Sequence, residues 1–191
     1  MPTCPYCGHQ LIVSLQAEIK LKKKEDFMEK TGFSPLIDFN DSGTIKNFSD
    51  RKTGSKIEKI VLHSTGSEKA GRSSVVNWFS NASAQASAHY LITSDGKICG
   101  LVREEKKAWH ATTANSTSIG IEVQGECGLK QYKESQMLPL AKLIKDIRSR
   151  HGNIPIITHA DVDPDRKGDD PFKPQHKDAA IKEIEALIAT L

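Results

Sequence analysis

Three short apolar segments, Ile57–Leu62, Ser118–Gln124 and Pro155–Thr158, alternate with stretches whose apolar residues recur every three or four positions. This alternation restricts the fold more than any other feature, because short runs fit strands whereas the longer period fits helices. Ile60, Val61 and Leu62 are contiguous and read as a buried strand. Ile119, Ile121 and Val123 alternate, which puts Gly120, Glu122 and Gln124 on the opposite face. His89–Ile92 and Ile98–Val102 flank Ser94-Asp95-Gly96-Lys97, a turn signal between two further strands. Ser74–Asn81 reads as a helix with Val75, Val76, Trp78 and Phe79 apolar. The longest helix is expected over 133–150, where Met137, Leu140, Ala141, Ile144 and Ile147 share one side and Gly152 supplies the stop. An amphipathic helix over 176–190 closes the chain. The fold class is therefore α/β, a single domain over residues 55–191 with a central mixed β-sheet flanked by helices.

Residues 1–54 have a different character. They contain a Cys-Pro-Tyr-Cys-Gly turn, an alternating Leu11, Val13, Leu15 segment, a lysine run at Lys22–Lys24 and two linker-like stretches, DFNDSG and FSDRKTGS. No helical apolar period is evident, so a short N-terminal extension holding a hairpin or short helix is expected. Cys4-Pro5-Tyr6-Cys7-Gly8-His9 looks like one knuckle of a zinc ribbon. No second pair accompanies it, because Cys99 and Cys127 are far apart in the sequence. Structural, redox and His9-completed metal readings stay open, with the structural one preferred.

Composition excludes several classes. A hydrophobic share of 37% and a charged share of 27% suit a globular chain, and a net charge of +3 is too small for a nucleic-acid groove. No apolar run is long enough to insert in a membrane, and a monomer is expected. The first ten residues lack a basic start followed by an apolar run. Synthesis in the cytoplasm without a signal peptide is therefore expected, with any role at the cell wall reached by a non-Sec route.

The chemistry-bearing residues cluster at predicted strand ends. His63 follows Ile-Val-Leu and His159 follows Ile-Ile-Thr, and the loop after His159 reads HADVDPDRKGDDP. Two imidazoles and a carboxylate make a three-ligand zinc site with a position left for water. From spacing alone, two buried structural histidines are an equally open reading. Glu122, a carboxylate within an alternating strand, is either a general base in a cleft or part of a sheet face open to solvent.

Five segments together, IVLHST, SAHYLITSDGKI, VREEKKAWHA, NSTSIGIEVQG and ITHADVDPDRKGDDP, resemble the zinc-dependent N-acetylmuramoyl-L-alanine amidase family (amidase type 2) in order and separation. The resemblance covers Ile57 to about Pro174 and implies hydrolysis of the amide between N-acetylmuramic acid and L-alanine in peptidoglycan or muropeptides. It implies one zinc ion held by His63 and His159, with Glu122 as catalytic acid/base and Lys167 stabilising the oxyanion. The third ligand departs from the family's R-K-x-D-P-G run, since Arg166-Lys167-Gly168-Asp169-Asp170-Pro171-Phe172 stands here. Counting from His159 or Lys167 selects Asp169, which is preferred. Adjacency to proline selects Asp170, the alternative.

Trp109 and His110 of AWHA resemble groove-lining residues and are expected to bind substrate, although Trp109 suits the core equally well. His89 is expected to be structural or supporting, Asn115 and Ser116 to form a turn, and His151 is assigned no function. The resemblance leaves the role open between a recycling enzyme, a phage endolysin and a secreted effector, the extension favouring the lytic, antimicrobial roles. A non-catalytic peptidoglycan-binding module on the same fold is the rival, disfavoured because every expected catalytic residue is present.

Overall fold

The computed structural model describes residues 5–165 and 170–191. Helix α1 (Pro5–Thr31) leads into two short strands, β1 (Phe39–Asn40) and β2 (Phe48–Asp50). Strand β3 (Lys59–Ser64), helix α2 (Arg72–Ser80), strands β4 (Tyr90–Ile92), β5 (Ile98–Gly100) and β6 (Lys106–Ala108), and a 3-10 turn (Thr112–Thr117) follow. Strand β7 (Ser118–Val123), helix α3 (Glu134–His151), strand β8 (Ile156–Thr158), the single-turn α4 (His159–Val162) and α5 (Pro174–Thr190) complete the chain.

The main sheet runs β1-β5-β4-β7-β3-β8 and is mixed: β4 and β5 are antiparallel, and every other neighbouring pair is parallel. Strands β2 and β6 form a separate antiparallel ribbon. The expected architecture is thus the observed one. Side-chain alternation divides the apolar residues between two faces. Ile60, Leu62, Tyr90, Ile92, Ile119, Ile121 and Val123 pack with Leu140, Ile144 and Ile147 of α3 and Ile184 of α5. The other face holds Leu91 against Val75 and Phe79 of α2, and Val61 against Ala111 and Ala114. Parallel strands β3, β4, β7 and β8 end on one edge, and in open α/β sheets the crevice beyond such ends is where ligands bind.

The N-terminal region departs from expectation. Its residues form one helix of 27 residues, not a hairpin or short helix. Leu, Lys, Glu, Gln and Ala make up about half of it, so intrinsic propensity favours the helix, and its residues of described burial form no buried stripe. Ile12, Val13, Leu15, Ile19 and Leu21 are all exposed. Gly32 ends it in the left-handed region at φ +71°, its N–H bonding the Met28 carbonyl at 2.7 Å. Cys4 lies outside the described residues, and Cys7 falls in the first turn of α1.

Residues 33–51, read from sequence as part of the extension, pack into the domain. Phe33 is fully buried in the main core, Ile45 is buried under α2, and β1 pairs with β5. Asn47 donates to the Phe79 and Asn81 carbonyls at 3.0 and 2.8 Å, stopping α2. The segment read as linker is a structural strap. His151, left without a role, ends α3 against buried Glu104, 3.0 Å from its Oε2, beside the Arg150–Glu104 ion pair.

Candidate active site

Strand β3 turns Val61 and His63 to the face opposite Ile60 and Leu62. Strand β7 lies beside it in parallel register, so His63 stands directly across from Glu122, with neighbouring strands about 4.8 Å apart. Strand β8, on the other flank of β3, ends at Thr158. There the Thr158 N–H donates to Asp161 Oδ2 at 2.9 Å, and this cap starts α4 with His159 as its first residue. The sheet therefore carries His63, Glu122 and His159 to one edge.

The two histidines face each other. His63 Nδ1 and His159 Nδ1 are 3.0 Å apart, and both residues are only 4% exposed. The other nitrogen of His63, Nε2, lies 3.0 Å from His110 Nδ1. The ring pairs meet edge to face, with centroids 5.0 and 5.1 Å apart.

The hydrogen bonds assign the protons along this chain. Ser118 donates its hydroxyl to the Ala114 carbonyl at 2.7 Å, so toward His110 Nε2, 3.2 Å away, it accepts. His110 therefore carries its proton on Nε2, and its Nδ1 accepts from His63 Nε2–H. That leaves the lone pair of His63 on Nδ1, directed at His159. Burial, with His89 next, holds His110 well below the ordinary imidazole value, which keeps it neutral.

His110, expected to bind substrate, lines the groove at 9% exposure, and its two ring nitrogens face His63 and Ser118. Its ring lies flat on Gly120: a Cβ built there would stand 2.5 Å from Cγ and 2.6 Å from Nδ1 of His110. The backbone N–H groups of His110 and Ala111 both donate to Asn115 Oδ1, at 2.9 and 2.6 Å. Asn115, expected only to turn the chain, thus ties down the loop that bears His110. His89 is structural as expected. Its Nδ1 accepts the Gly120 N–H at 2.9 Å, and burial followed by the Arg51 charge pushes it down to about 3.

Above these residues lies a groove of about 650 Å³ whose lining includes Trp78, Trp109, Thr112 and Cys127, with His63, Glu122 and His159 beneath. Trp109 is fixed by its indole N–H to Ser49 Oγ at 3.1 Å, a tie to the strap. Trp78, by sequence one of the apolar residues of its helix, is 55% exposed at the groove. The signal was present: Val75 and Phe79, four apart, already supply the buried side of α2.

Asp170, the alternative third ligand, is 5% exposed and tightly engaged. Its Oδ2 accepts from Thr158 Oγ1 at 2.6 Å and Ala160 N–H at 2.9 Å, and its Oδ1 accepts from Phe172 N–H at 3.1 Å. Lys167 and Asp169 lie outside the described residues. Among the described residues no three His, Cys, Asp or Glu side chains form a complete metal-binding group.

A family model described as N-acetylmuramoyl-L-alanine amidase matches residues 53–175. N-acetylmuramoyl-L-alanine amidase A of Achromobacter lyticus is 40% identical over 95 residues, covering 49% of this chain and 52% of that protein. N-acetylmuramoyl-L-alanine amidase AmiD of Escherichia coli (strain K12) is 33% identical over 139 residues, covering 60% and 49%. The 1,6-anhydro-N-acetylmuramyl-L-alanine amidase AmpD of the same strain is 36% identical over 98 residues, covering 46% and 53%. The chain spans about half the length of the curated relatives it matches. A selenomethionine AmpD crystal structure superposes with a TM-score of 0.68 at 24% identity, covering 83% of this chain and 97% of that one, a likeness of fold. Because the family match takes in more than half of the sequence and includes His63, Glu122 and His159, this chain belongs to the N-acetylmuramoyl-L-alanine amidase family.

Proposed function

We propose that this chain hydrolyses the amide between N-acetylmuramic acid and L-alanine in peptidoglycan or its muropeptide fragments, using one zinc ion held by His63, His159 and Asp169. The observation that carries the proposal is the pair of imidazole Nδ1 atoms 3.0 Å apart beside Glu122 on the floor of the groove. The residues fit the ion. Two nitrogens each about 2.0–2.1 Å from a tetrahedral zinc would stand roughly 3.3 Å apart, close to the separation found. The His110 relay supports the fit by leaving the His63 lone pair on Nδ1, the outer hydrogen bond that metal-binding imidazoles commonly need. For the third position Asp169 is favoured over Asp170, whose two oxygens are engaged by Thr158, Ala160 and Phe172.

When bound, zinc supplies Lewis acidity for the scissile carbonyl and lowers the pKa of water to near neutrality. Glu122, on the strand next to His63, takes the proton of the attacking water and returns it to the departing L-alanine nitrogen. That second transfer matters because an amine anion is too poor a leaving group to depart unaided. Lys167, which the family resemblance implies for this task, would supply positive charge to the carbonyl oxygen as it becomes negative, and fixed charge of that kind is commonly a large part of catalysis. Trp78 and Trp109 offer flat apolar walls for the sugar or the stem peptide.

Zinc analysis tests the metal reading. The purified chain should hold one zinc, and His63→Ala or His159→Ala should lose nearly all of it. Full retention in either variant would remove that residue from the ligand set.

A further inference from the structure

Arg51 precedes the family-matched span 53–175, yet it reaches the candidate site from behind. Its guanidinium donates to four backbone carbonyls: Nε to Glu104 at 3.0 Å, one terminal nitrogen to Asn115 and Ser116 at 3.0 and 2.8 Å, and the other to Ser118 at 2.8 Å. The second terminal nitrogen also lies 2.9 Å from His89 Nε2. Four carbonyls converging on one planar cation define a socket that only a forked donor fills. Three of them belong to the segment 115–118, and that segment holds His110 at both ends. Asn115 Oδ1 takes the His110 backbone N–H, and Ser118 Oγ takes the ring Nε2–H. His110 Nδ1 in turn takes the proton of His63 Nε2.

We propose that Arg51 is a positioning residue for the metal site: by clasping segment 115–118 it holds His110 where it fixes the His63 tautomer whose Nδ1 faces His159. The proposal rests on reading His63 as a zinc ligand. It gives the strap a task that the family match does not contain. The strap's last residue is wired, through one loop and one imidazole, to the ligand on β3. Removing the guanidinium strands four carbonyls and loosens both grips on His110. Lysine restores the charge but lacks the fork that spans the carbonyls.

The test combines Arg51→Met, Arg51→Lys, His110→Phe and the double variant Arg51→Met/His110→Phe, with zinc affinity read by chelator competition. His110→Phe should weaken zinc binding by about 10–100-fold, the usual effect of losing an outer hydrogen bond. Arg51→Met should weaken it by about 10-fold or more, and Arg51→Lys by less. The double variant should match His110→Phe alone, because Arg51 acts through His110. Losses that multiply in the double variant, or unchanged affinity in Arg51→Met, overturn the proposal. Arg148→Met, which breaks the Arg148–Glu185 pair elsewhere in the fold, supplies a chain weakened without touching the relay. Its zinc affinity should stay within about twofold of the parent, given that distant sites act independently; an equal loss there would reduce Arg51 to general stability. If Arg51→Met fails to fold, Arg51→Lys carries the comparison. A parent chain that binds no zinc would count against His63 as ligand, and the relay is then judged by nitrogen NMR of the histidines. His63 protonated on Nε2 in the parent and mixed in the Arg51 variant is expected, whereas Nε2–H in both overturns the proposal.

Discussion

Adding one methyl group at Gly120 should damage both the stability of the fold and the geometry of its candidate metal site. A Cβ there would stand 2.5, 2.6 and 2.8 Å from Cγ, Nδ1 and Cδ2 of His110, closer than side chains pack. Neither partner can retreat easily. Strand β7 is bonded on both sides, to β3 and to β4, so its backbone is held in the sheet. The His110 ring is held by His63, by Ser118 and through its backbone by Asn115. Overpacking of this kind costs about 1–3 kcal/mol, which in a chain of this length lowers the melting temperature by roughly 2–12 °C. A displaced ring also gives up the His63 hydrogen bond, so zinc affinity should fall about 10–100-fold. The assay is thermal melting of metal-free Gly120→Ala followed by chelator competition. A second substitution, His110→Ala, should recover part of the lost melting temperature while leaving zinc binding weak. A Gly120→Ala chain with parental melting temperature and parental zinc affinity would refute the reasoning, since His110 would then be free to move without consequence.

Glu122→Gln should bind zinc normally and lose about 10²–10⁴ in kcat with KM little changed; retention of a tenth of the parental rate would remove Glu122 from the proton transfers. Asp169→Asn should lose nearly all of the zinc, read by metal analysis. Asp170→Asn should keep zinc within a few fold but lower stability by about 1.5–3 kcal/mol, the worth of hydrogen bonds to a charged group; the reverse pattern would make Asp170 the ligand. Deleting residues 1–31 should leave a folded chain by circular dichroism. Deleting 1–54 should not, because burial of an aromatic such as Phe33 is alone worth about 3–5 kcal/mol against a total of about 5–15. A stable, zinc-binding 55–191 fragment would show the strap to be dispensable.

The strands and long helices were legible because their periods are clean. Ile119, Ile121 and Val123 do face α3 while Gly120 and Glu122 face the groove side, and the helix expected over 133–150 is Glu134–His151. The adjacency of His63 to Glu122 was not legible, since the register of parallel strands is set across about sixty residues of intervening chain. The N-terminal helix is not legible in the pattern because Ile12, Val13, Leu15, Ile19 and Leu21 are all exposed, so only propensity marks it. Strands β1 and β2 are two and three residues long and lie in Asp- and Gly-rich sequence. Their pairing depends on tertiary neighbours such as Phe33 and Ser87, which local pattern does not encode. For the same reason Arg51 reads from sequence as part of a linker, and local pattern does not reveal the contacts of His110 with His63 and Ser118. Asp169, which counting along the chain selects, and Lys167, which the family resemblance implies, lie outside the described residues.

In the proposed function, the bond cut joins the lactyl group of N-acetylmuramic acid to L-alanine. Mass spectrometry of a defined muropeptide digested with the zinc-loaded chain in oxygen-18 water tests it most directly. The expected products are a peptide with a free L-alanine amino terminus and a muramic acid whose lactyl carboxyl carries one heavy oxygen, both abolished by a chelator and restored by zinc. Heavy oxygen at a carboxyl between two amino acids, at the sugar linkage, or in no product at all would contradict it.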